Sequence, residues 1–216
     1  MATVTVRGTA ARQVQPDFVV VSLGLTTVAK DAPAALDLVA QWSDQLADLL
    51  AGLGLRQQDW VTEGVNVAEE FEWRKDAQVS VGYRATTGVA ATLRQLDQVG
   101  RLLRDAVGAC HATVRSLSWQ VDPDNPARRE VLGDAARDAR QRAEAYTAAL
   151  GLGLGKVEAI SDEPLRGGPD AGGAMEAMAY GARSKMADAD ASMTVSGGLV
   201  SLSSEVYIRF STVSAS

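Results

Sequence analysis

The sequence has very few of the residues that form disulfides, zinc sites and nucleophilic catalytic groups. Its 216 residues include one cysteine and one histidine, Cys110 and His111. A single cysteine excludes an intrachain disulfide, and a zinc site needs about four nitrogen, sulfur or carboxylate ligands. No loop has the aspartate spacing of a calcium site, although an oxygen-only site for a hard cation stays open. We therefore predict no cofactor and no metal.

Long apolar runs and clusters of basic residues are also missing. No stretch reaches the roughly 20 apolar residues that a membrane-spanning helix needs. The formal net charge is −6, with 21 Lys and Arg residues scattered among 27 Asp and Glu. Nucleic acids and anionic membranes attract clustered positive charge. We therefore expect no nucleic-acid partner and no membrane span.

The N-terminus bears on cellular location. Residues 1–14 have no apolar core of signal-peptide length and alternate like a strand. As given, the chain is expected in the cytoplasm. A periplasmic or exported location is expected instead if an N-terminal signal was removed.

The clearest helical pattern covers residues 127–150 and organises the predicted fold. Apolar residues recur there at steps of four and three, which places them on one face of a helix. Because that face is mostly alanine, the helix axis can lie close to its neighbour, and the flanking strand patterns indicate that this neighbour is a sheet. The predicted face comprises Leu132, Ala136, Ala139, Ala143, Tyr146 and Leu150.

The remaining periodicities predict further strands and helices. Alternating apolar residues predict strands at 3–14, 18–28, 60–73, 79–93, 110–121, 156–161 and 195–210. The first two strands are expected to pair as an antiparallel hairpin. Helices are predicted at 31–53 and 96–107. The inward faces of the two helices are predicted as Leu36, Val39, Leu46, Leu50 and Leu53, and as Leu96, Val99, Leu103 and Val107.

These elements predict an α+β fold of mostly antiparallel sheets with helices packed on one face. Strand–strand–helix order occurs twice, in residues 1–54 and 55–108. We therefore predict a single domain over 1–210, with 1–108 and 109–210 as candidate sub-units. Residues 211–216 are predicted to be a flexible tail.

Cys110 and His111 are adjacent, and a thiol beside an imidazole can act as nucleophile and base. On a strand, however, adjacent side chains point to opposite faces, so these two groups would not meet. A free cysteine is usually a small core residue. We therefore predict no catalytic residues and no enzyme activity.

Carboxylates and glycines each form one cluster. Glu69, Glu70 and Glu72 alternate with Phe71 and Trp73 near the end of the third strand. Paired carboxylates can serve acid–base catalysis, but at a hairpin tip they more often keep a strand edge solvated, and we favour that interpretation. The glycine run at 151–155 resembles a phosphate loop, yet it follows a helix, so it predicts a helix end.

The segment 166–192 is rich in glycine and alanine, has no sustained period, and predicts a long mobile loop before the last strand. Methionine adapts to irregular surfaces, which favours contact with a partner or a neighbouring subunit. A methionine-sulfoxide sink and a plain loop are the alternatives. The candidate interaction residues are Met175, Met178, Tyr180, Met186 and Met193.

Several short motifs, in this order, resemble the SIMPL-domain family, which includes periplasmic immunogenic proteins of Gram-negative bacteria. The resemblance covers nearly the whole chain. It implies an α+β fold, frequent export, ring-like homo-oligomers in some members, a loose link to oxidative stress, and an adaptor role in kinase signalling for a mammalian relative. It implies no catalytic residues. The matching motifs are Val6-Arg7-Gly8, Pro16-Asp17, Gly82-Tyr83-Arg84-Ala85, the alanines 135, 136, 139 and 143, Leu150-Gly151, Leu154-Gly155-Lys156-Val157, and the final strand after Gly197.

Three hypotheses of function follow. The first is a non-enzymatic SIMPL-like protein that acts through homo-oligomeric assembly or through a protein partner, with the stress link that the resemblance implies. The second is a ligand-binding protein or hydrolase with a site between two sheet units, lined by Glu63, Asn66 or Arg84. The third is a signalling adaptor.

Overall fold

The computed structural model describes residues 2–74, 77–165, 195 and 197–214. In chain order the elements are β1 (Thr3–Val14), β2 (Phe18–Ala29), α1 (Ala32–Gly52), β3 (Trp60–Arg74), β4 (Ala77–Leu93), α2 (Val99–Cys110), β5 (Thr113–Gln120), α3 (Pro126–Ala149), β6 (Leu152–Ser161) and β7 (Val200–Ser214). Within these residues, the strands form two antiparallel sheets, and the chain also contains three α-helices, which confirms the predicted α+β fold class.

The described residues divide into two compact units. Of the described residues, unit 1 contains 2–14, 123–165 and 201–214, and unit 2 contains 15–74, 77–122, 195 and 197–200. Neither unit coincides with the halves 1–108 and 109–210. The single domain over 1–210 stays a prediction.

Unit 2 is built on a four-stranded sheet in the order β3-β4-β2-β5. The inward side chains of β2 are Val19, Val21, Leu23 and Leu25, all fully buried. β-Branched and leucine side chains at every second position fit one covered face of a sheet. They pack with residues of α1 and α2, which confirms helices on one sheet face.

Helix α1 begins where the sequence indicates. The Asp31 carboxylate accepts a hydrogen bond from the Ala34 amide at 2.9 Å, and Pro33 lies in the first turn. This cap satisfies an amide that has no partner inside the helix. The predicted face is correct at Val39, Leu46, Leu50 and Leu53 but wrong at Leu36, which is exposed while Ala35 is buried. Small Ala35 fits against Ala85 of β4.

The second predicted helix lies further along the chain than expected. Residues 96–98 form a short 3₁₀ turn, and α2 continues to Cys110. Val107, predicted inward, is half exposed, whereas Ala106 and Cys110 are buried. The predicted strand 110–121 therefore begins only at Thr113, after His111 ends the helix in the left-handed conformation with φ 55°.

Unit 1 contains a three-stranded sheet in the order β1-β7-β6, covered by α3. Asn125 caps α3 by accepting a hydrogen bond from the Ala127 amide at 2.9 Å. Ala135, Ala139 and Ala143 pack against apolar residues of β1 and β7, which confirms that the alanine face covers a sheet. A β carbon on Gly8 would overlap the Ala135 carbonyl oxygen, so glycine permits this close approach.

The buried face of α3 is only partly the predicted one. Leu132, Tyr146 and Leu150 are exposed, whereas Val131 and Thr147 are buried. The true face shares Ala139 and Ala143 with the prediction but is rotated around the helix. Small side chains, not the largest ones, lie inside because β1 approaches the helix so closely.

Two further predictions about strands are wrong. β1 and β2 do not pair with each other, because β1 lies beside β7 and β2 lies between β4 and β5. The last strand begins at Val200 and extends through Ser214 instead of ending at Phe210. Its end is held because the amide and hydroxyl of Thr212 both donate to the Ala2 carbonyl, at 3.0 and 2.9 Å. Residues 211–214 are therefore not a tail.

Within the described residues, no helix has the length and apolar content needed to cross a membrane.

Candidate functional site

Cys110 and His111 have separate structural roles. Cys110 is the last residue of α2, and its side chain is buried in the core of unit 2. Burial raises the pKa of its thiol, as a buried thiolate would lack solvation. The His111 ring lies against Trp42, with 4.7 Å between ring centroids. The strand geometry used in the sequence argument is wrong here, but the thiol is still a core group whose reactive form is disfavoured.

Glu70 and Glu72 lie on a hairpin arm, defined here as residues 70–74 of β3 with 77–82 of β4, and Glu69 lies just before this arm. β2 pairs with β4 only as far as Tyr83, so beyond that point, within the part of the chain that the structure describes, the two arm strands pair only with each other. Phe71 and Trp73 share one face of the arm, and Trp73 is 76 % exposed. Large exposed aromatic side chains on a two-stranded ribbon are candidates for contact with another surface.

Glu70 is an ion-pair partner at the base of this arm. The Arg84 guanidinium donates to both of its carboxylate oxygens, at 2.6 and 2.7 Å. This two-bond geometry lowers the pKa of Glu70 below its ordinary value. Glu70 is therefore held as a carboxylate, which does not suit a general acid.

The sequence singled out Glu63, Asn66 and Arg84 as the lining of a ligand site. In the sheet, Asn66 pairs with Thr86 and Glu63 with Gly88. The Arg115 guanidinium lies 3.6 Å from the Glu63 carboxylate, and Arg84 is bound to Glu70. Two of the three groups are therefore already held in ion pairs along the sheet.

Arg115 is the polar feature that the sequence argument missed. It is the extra residue of a β-bulge in β5, since Ser116 pairs with Ser22 and Val114 with Leu23. Its side chain lies over Gly24 of β2 and Gly88 of β4, where any β carbon would collide with it. Two glycines at matching positions in two strands were the available signal, but only the strand pairing brings them together.

Three further features were considered from the sequence: the glycine run after α3, a metal site and the candidate interaction residues. Gly151 follows α3 with φ 69°, which confirms a helix end there, whereas Gly153 and Gly155 of the same glycine run already lie in β6. Among the described residues, no group of three His, Cys, Asp or Glu side chains could hold a metal ion. The candidate interaction residues lie outside the described part of the chain: Met175, Met178, Tyr180, Met186 and Met193.

Sequence comparisons relate this chain to known proteins. The family model SIMPL, described as a protein of unknown function (DUF541), matches residues 4–210. An uncharacterized protein YggE of Edwardsiella ictaluri is 32% identical over 158 residues, which are 73% of this chain and 66% of the relative. The YggE protein of Escherichia coli (strain K12) is 29% identical over 67% of this chain and 60% of its own length.

A more distant relative is a 26 kDa periplasmic immunogenic protein of Brucella melitensis biotype 1. It is 24% identical over 74% of this chain and 66% of its own length. The aligned regions thus span slightly less than two thirds of these curated relatives. Because the SIMPL model covers nearly the whole chain, the chain belongs to the SIMPL family, whose members are described as proteins of unknown function.

Proposed function

We propose that this SIMPL-family protein is non-enzymatic and acts by assembling with copies of itself. The observation that carries the proposal is the hairpin arm with Phe71 and Trp73 exposed on one face. Burying two such aromatic side chains against a second copy would remove considerable apolar surface from water. Both sheets also end in outer strands, whose open edges can pair with another chain.

Light scattering coupled to size-exclusion chromatography at micromolar concentration tests this proposal. We expect a mass of more than one chain for the unaltered protein and a monomer for the double variant Phe71→Ser, Trp73→Ser. The matched control is Leu132→Ser, Leu150→Ser, which removes two exposed apolar side chains from α3 and should keep the assembly. A monomeric unaltered protein contradicts the proposal, and an assembled arm variant contradicts the role of the arm.

We also propose that the protein works in the periplasm. The support is that the Brucella melitensis relative is named a periplasmic immunogenic protein. Immunoblots of periplasmic and cytoplasmic fractions from the source cells test this, and signal confined to the cytoplasmic fraction contradicts it. The stress link, the Met-containing interaction residues, the ligand-binding or hydrolase alternative and the adaptor role stay predictions.

A further inference from the structure

A groove of about 340 Å³ lies between helix α1 and the outer strand β3 in unit 2. Its floor includes Thr87 of β4, whose hydroxyl donates to the Gly64 carbonyl at 3.1 Å. Its walls are mainly apolar and include Leu36, Val39, Ala40 and Val65. The side chains of Leu36 and Val65 are 41 and 60 % exposed, so part of the apolar wall faces solvent.

The strand beside this groove is an open edge. Among the described residues β3 pairs only with β4, so its other side has no strand partner. After the bulge at Gly64, residues 65–70 pair with β4 in an unbroken register, which leaves a regular edge of that length. An extended peptide can hydrogen-bond to such an edge, and its alternate side chains then point to one face of the sheet. Peptide side chains on the sheet face that α1 covers would enter the groove.

The groove is also acidic. α1 contains three aspartates and no lysine or arginine. Two of these aspartates, Asp37 and Asp44, line the groove, and the described residues provide neither of them with an ion-pair partner. Glu69 lies opposite Tyr83, which packs beside Ala35 and Val39, and so adds a third carboxylate on the same side of the sheet. Unpaired carboxylates beside an apolar groove favour a cationic occupant.

We propose that the groove between β3 and α1 binds an extended cationic segment of a partner protein by strand addition. Apolar side chains at alternate positions of that segment enter the groove beside Leu36 and Val65, and its basic residues lie near Asp37 and Asp44. This partner site is distinct from the aromatic face of the arm proposed for self-assembly.

Titration with an alternating valine–lysine peptide of about eight residues, a length that covers the open edge, tests the proposal. Binding is measured by calorimetry at about 50 mM salt, where screening of charges is modest. Hydrogen exchange should slow in the complex for those amides of residues 65–70 that point away from β4. The alternating valine–glutamate peptide should not bind.

Backbone methylation tests strand addition directly. Only every second amide of an added strand faces its neighbour. We therefore expect methylation of either the valine or the lysine amides to abolish binding, and methylation of the other set to leave it intact. Equal binding of both methylated peptides, or no binding of the unmethylated one, overturns the proposal.

Variants of β3 provide matched controls on the protein. Val65→Lys places a charge in the groove and should weaken binding at least about tenfold, a change that calorimetry resolves well. Val61→Lys changes an equally exposed valine, 61 against 60 %, on the opposite face of the same strand, and should leave the affinity unchanged. Equal weakening by both variants overturns the assignment to the groove.

Charge variants test the acidic rim. Asp37→Asn, Asp44→Asn should weaken binding several-fold and reduce its salt dependence. The control Glu158→Gln, Asp162→Asn removes the same amount of charge from exposed positions of unit 1. It should change neither the peptide affinity nor its salt dependence. Equal effects of the two double variants would overturn the acidic role.

All titrations are repeated on the arm variant Phe71→Ser, Trp73→Ser. If the arm variant binds the peptide with unchanged affinity, the groove acts independently of self-assembly. A failure of the self-assembly proposal can then be distinguished from a failure of the peptide-binding proposal. If Val65→Lys instead converts an assembled protein to a monomer, the occupant is a second copy of this chain, and the partner proposal is overturned.

Discussion

The side chain of Arg115 on β5 crosses two neighbouring strands to reach Glu63 on β3. Its guanidinium lies 3.6 Å from the Glu63 carboxylate and donates to the Thr87 carbonyl at 3.3 Å. The crossing is open because Gly24 and Gly88, which pair with each other, have no side chains. Both charged side chains are nearly half exposed, so the ion pair itself adds little stability.

Gly24→Ala should destabilise the protein because its β carbon would overlap Nε of Arg115. Because Arg115 is a flexible and nearly half-exposed side chain that can move aside, we expect the free energy of unfolding to fall by only about 1 kcal/mol, the low end of overpacking costs. In an Arg115→Ala background the obstruction is gone, and the same substitution should cost less than it does in the unaltered protein. Urea unfolding followed by circular dichroism measures both costs. Equal costs in the two backgrounds would show that Arg115 is not the obstruction.

Gly8→Ala should destabilise unit 1 more than a typical surface change. The new β carbon would lie 2.6 Å from the Ala139 β carbon and overlap the Ala135 carbonyl, so α3 must move away from β1. We expect a loss of at least about 2 kcal/mol. Gly52→Ala is the control, because that helical glycine has open space around it, and alanine should stabilise by about 0.5–1 kcal/mol. Similar changes in melting temperature for the two variants would contradict close packing at Gly8.

Acid should destabilise unit 1 through two carboxylates of α3. A hydrogen bond from Arg12 at 2.9 Å lowers the pKa of Asp134, and the Thr9 amide at 2.8 Å lowers that of Asp138, both from an ordinary 3.8. Because the folded-state pKa values are depressed, this stabilisation is fully present above pH 3.8. It is lost as the pH falls through the folded values.

The variant Asp134→Asn, Asp138→Asn measures this contribution. Urea unfolding at a series of pH values should show a shallower loss of stability below pH 3.8 for the variant than for the unaltered protein. The variant should be the less stable of the two at neutral pH. Parallel pH profiles would mean that these hydrogen bonds do not set the acid sensitivity.

Cys110 should be unreactive while the protein is folded. Its side chain is only 2 % exposed, and burial raises the pKa of its thiol, so both access and the thiolate fraction are low. We expect iodoacetamide to modify it at least about 100-fold more slowly in the native state than in guanidinium chloride, since reaction then requires opening. Mass spectrometry of timed samples measures both rates. Rapid native modification would contradict the buried structural role.

The positions of most elements could be predicted from local sequence. β2 shows an uninterrupted alternation, and Asp31 with Pro33 marks the start of α1. These signals are local, because a strand face and a helix cap depend on residues a few positions apart. The buried face of α3 is harder to predict. Leu132 and Tyr146 are larger than Val131 and the alanines, but β1 lies so close to the helix that only smaller side chains fit between them.

The candidate surfaces depend on pairings that the sequence does not encode locally. Gly24 and Gly88 are unremarkable until β2 and β4 place them side by side, and Arg115 then lies over both. The groove likewise exists only because α1 lies beside the open edge of β3.

The sequence by itself determined the α+β class, most element positions, the helix end at Gly151 and the charge of α1. Only the tertiary structure decided that β1 pairs with β7, which face of α3 is buried, and which strands have open edges. The physical reason is that periodicity and capping act over a few residues. Strand pairing and close packing instead depend on which distant residues, such as Ala2 and Thr212, meet in space.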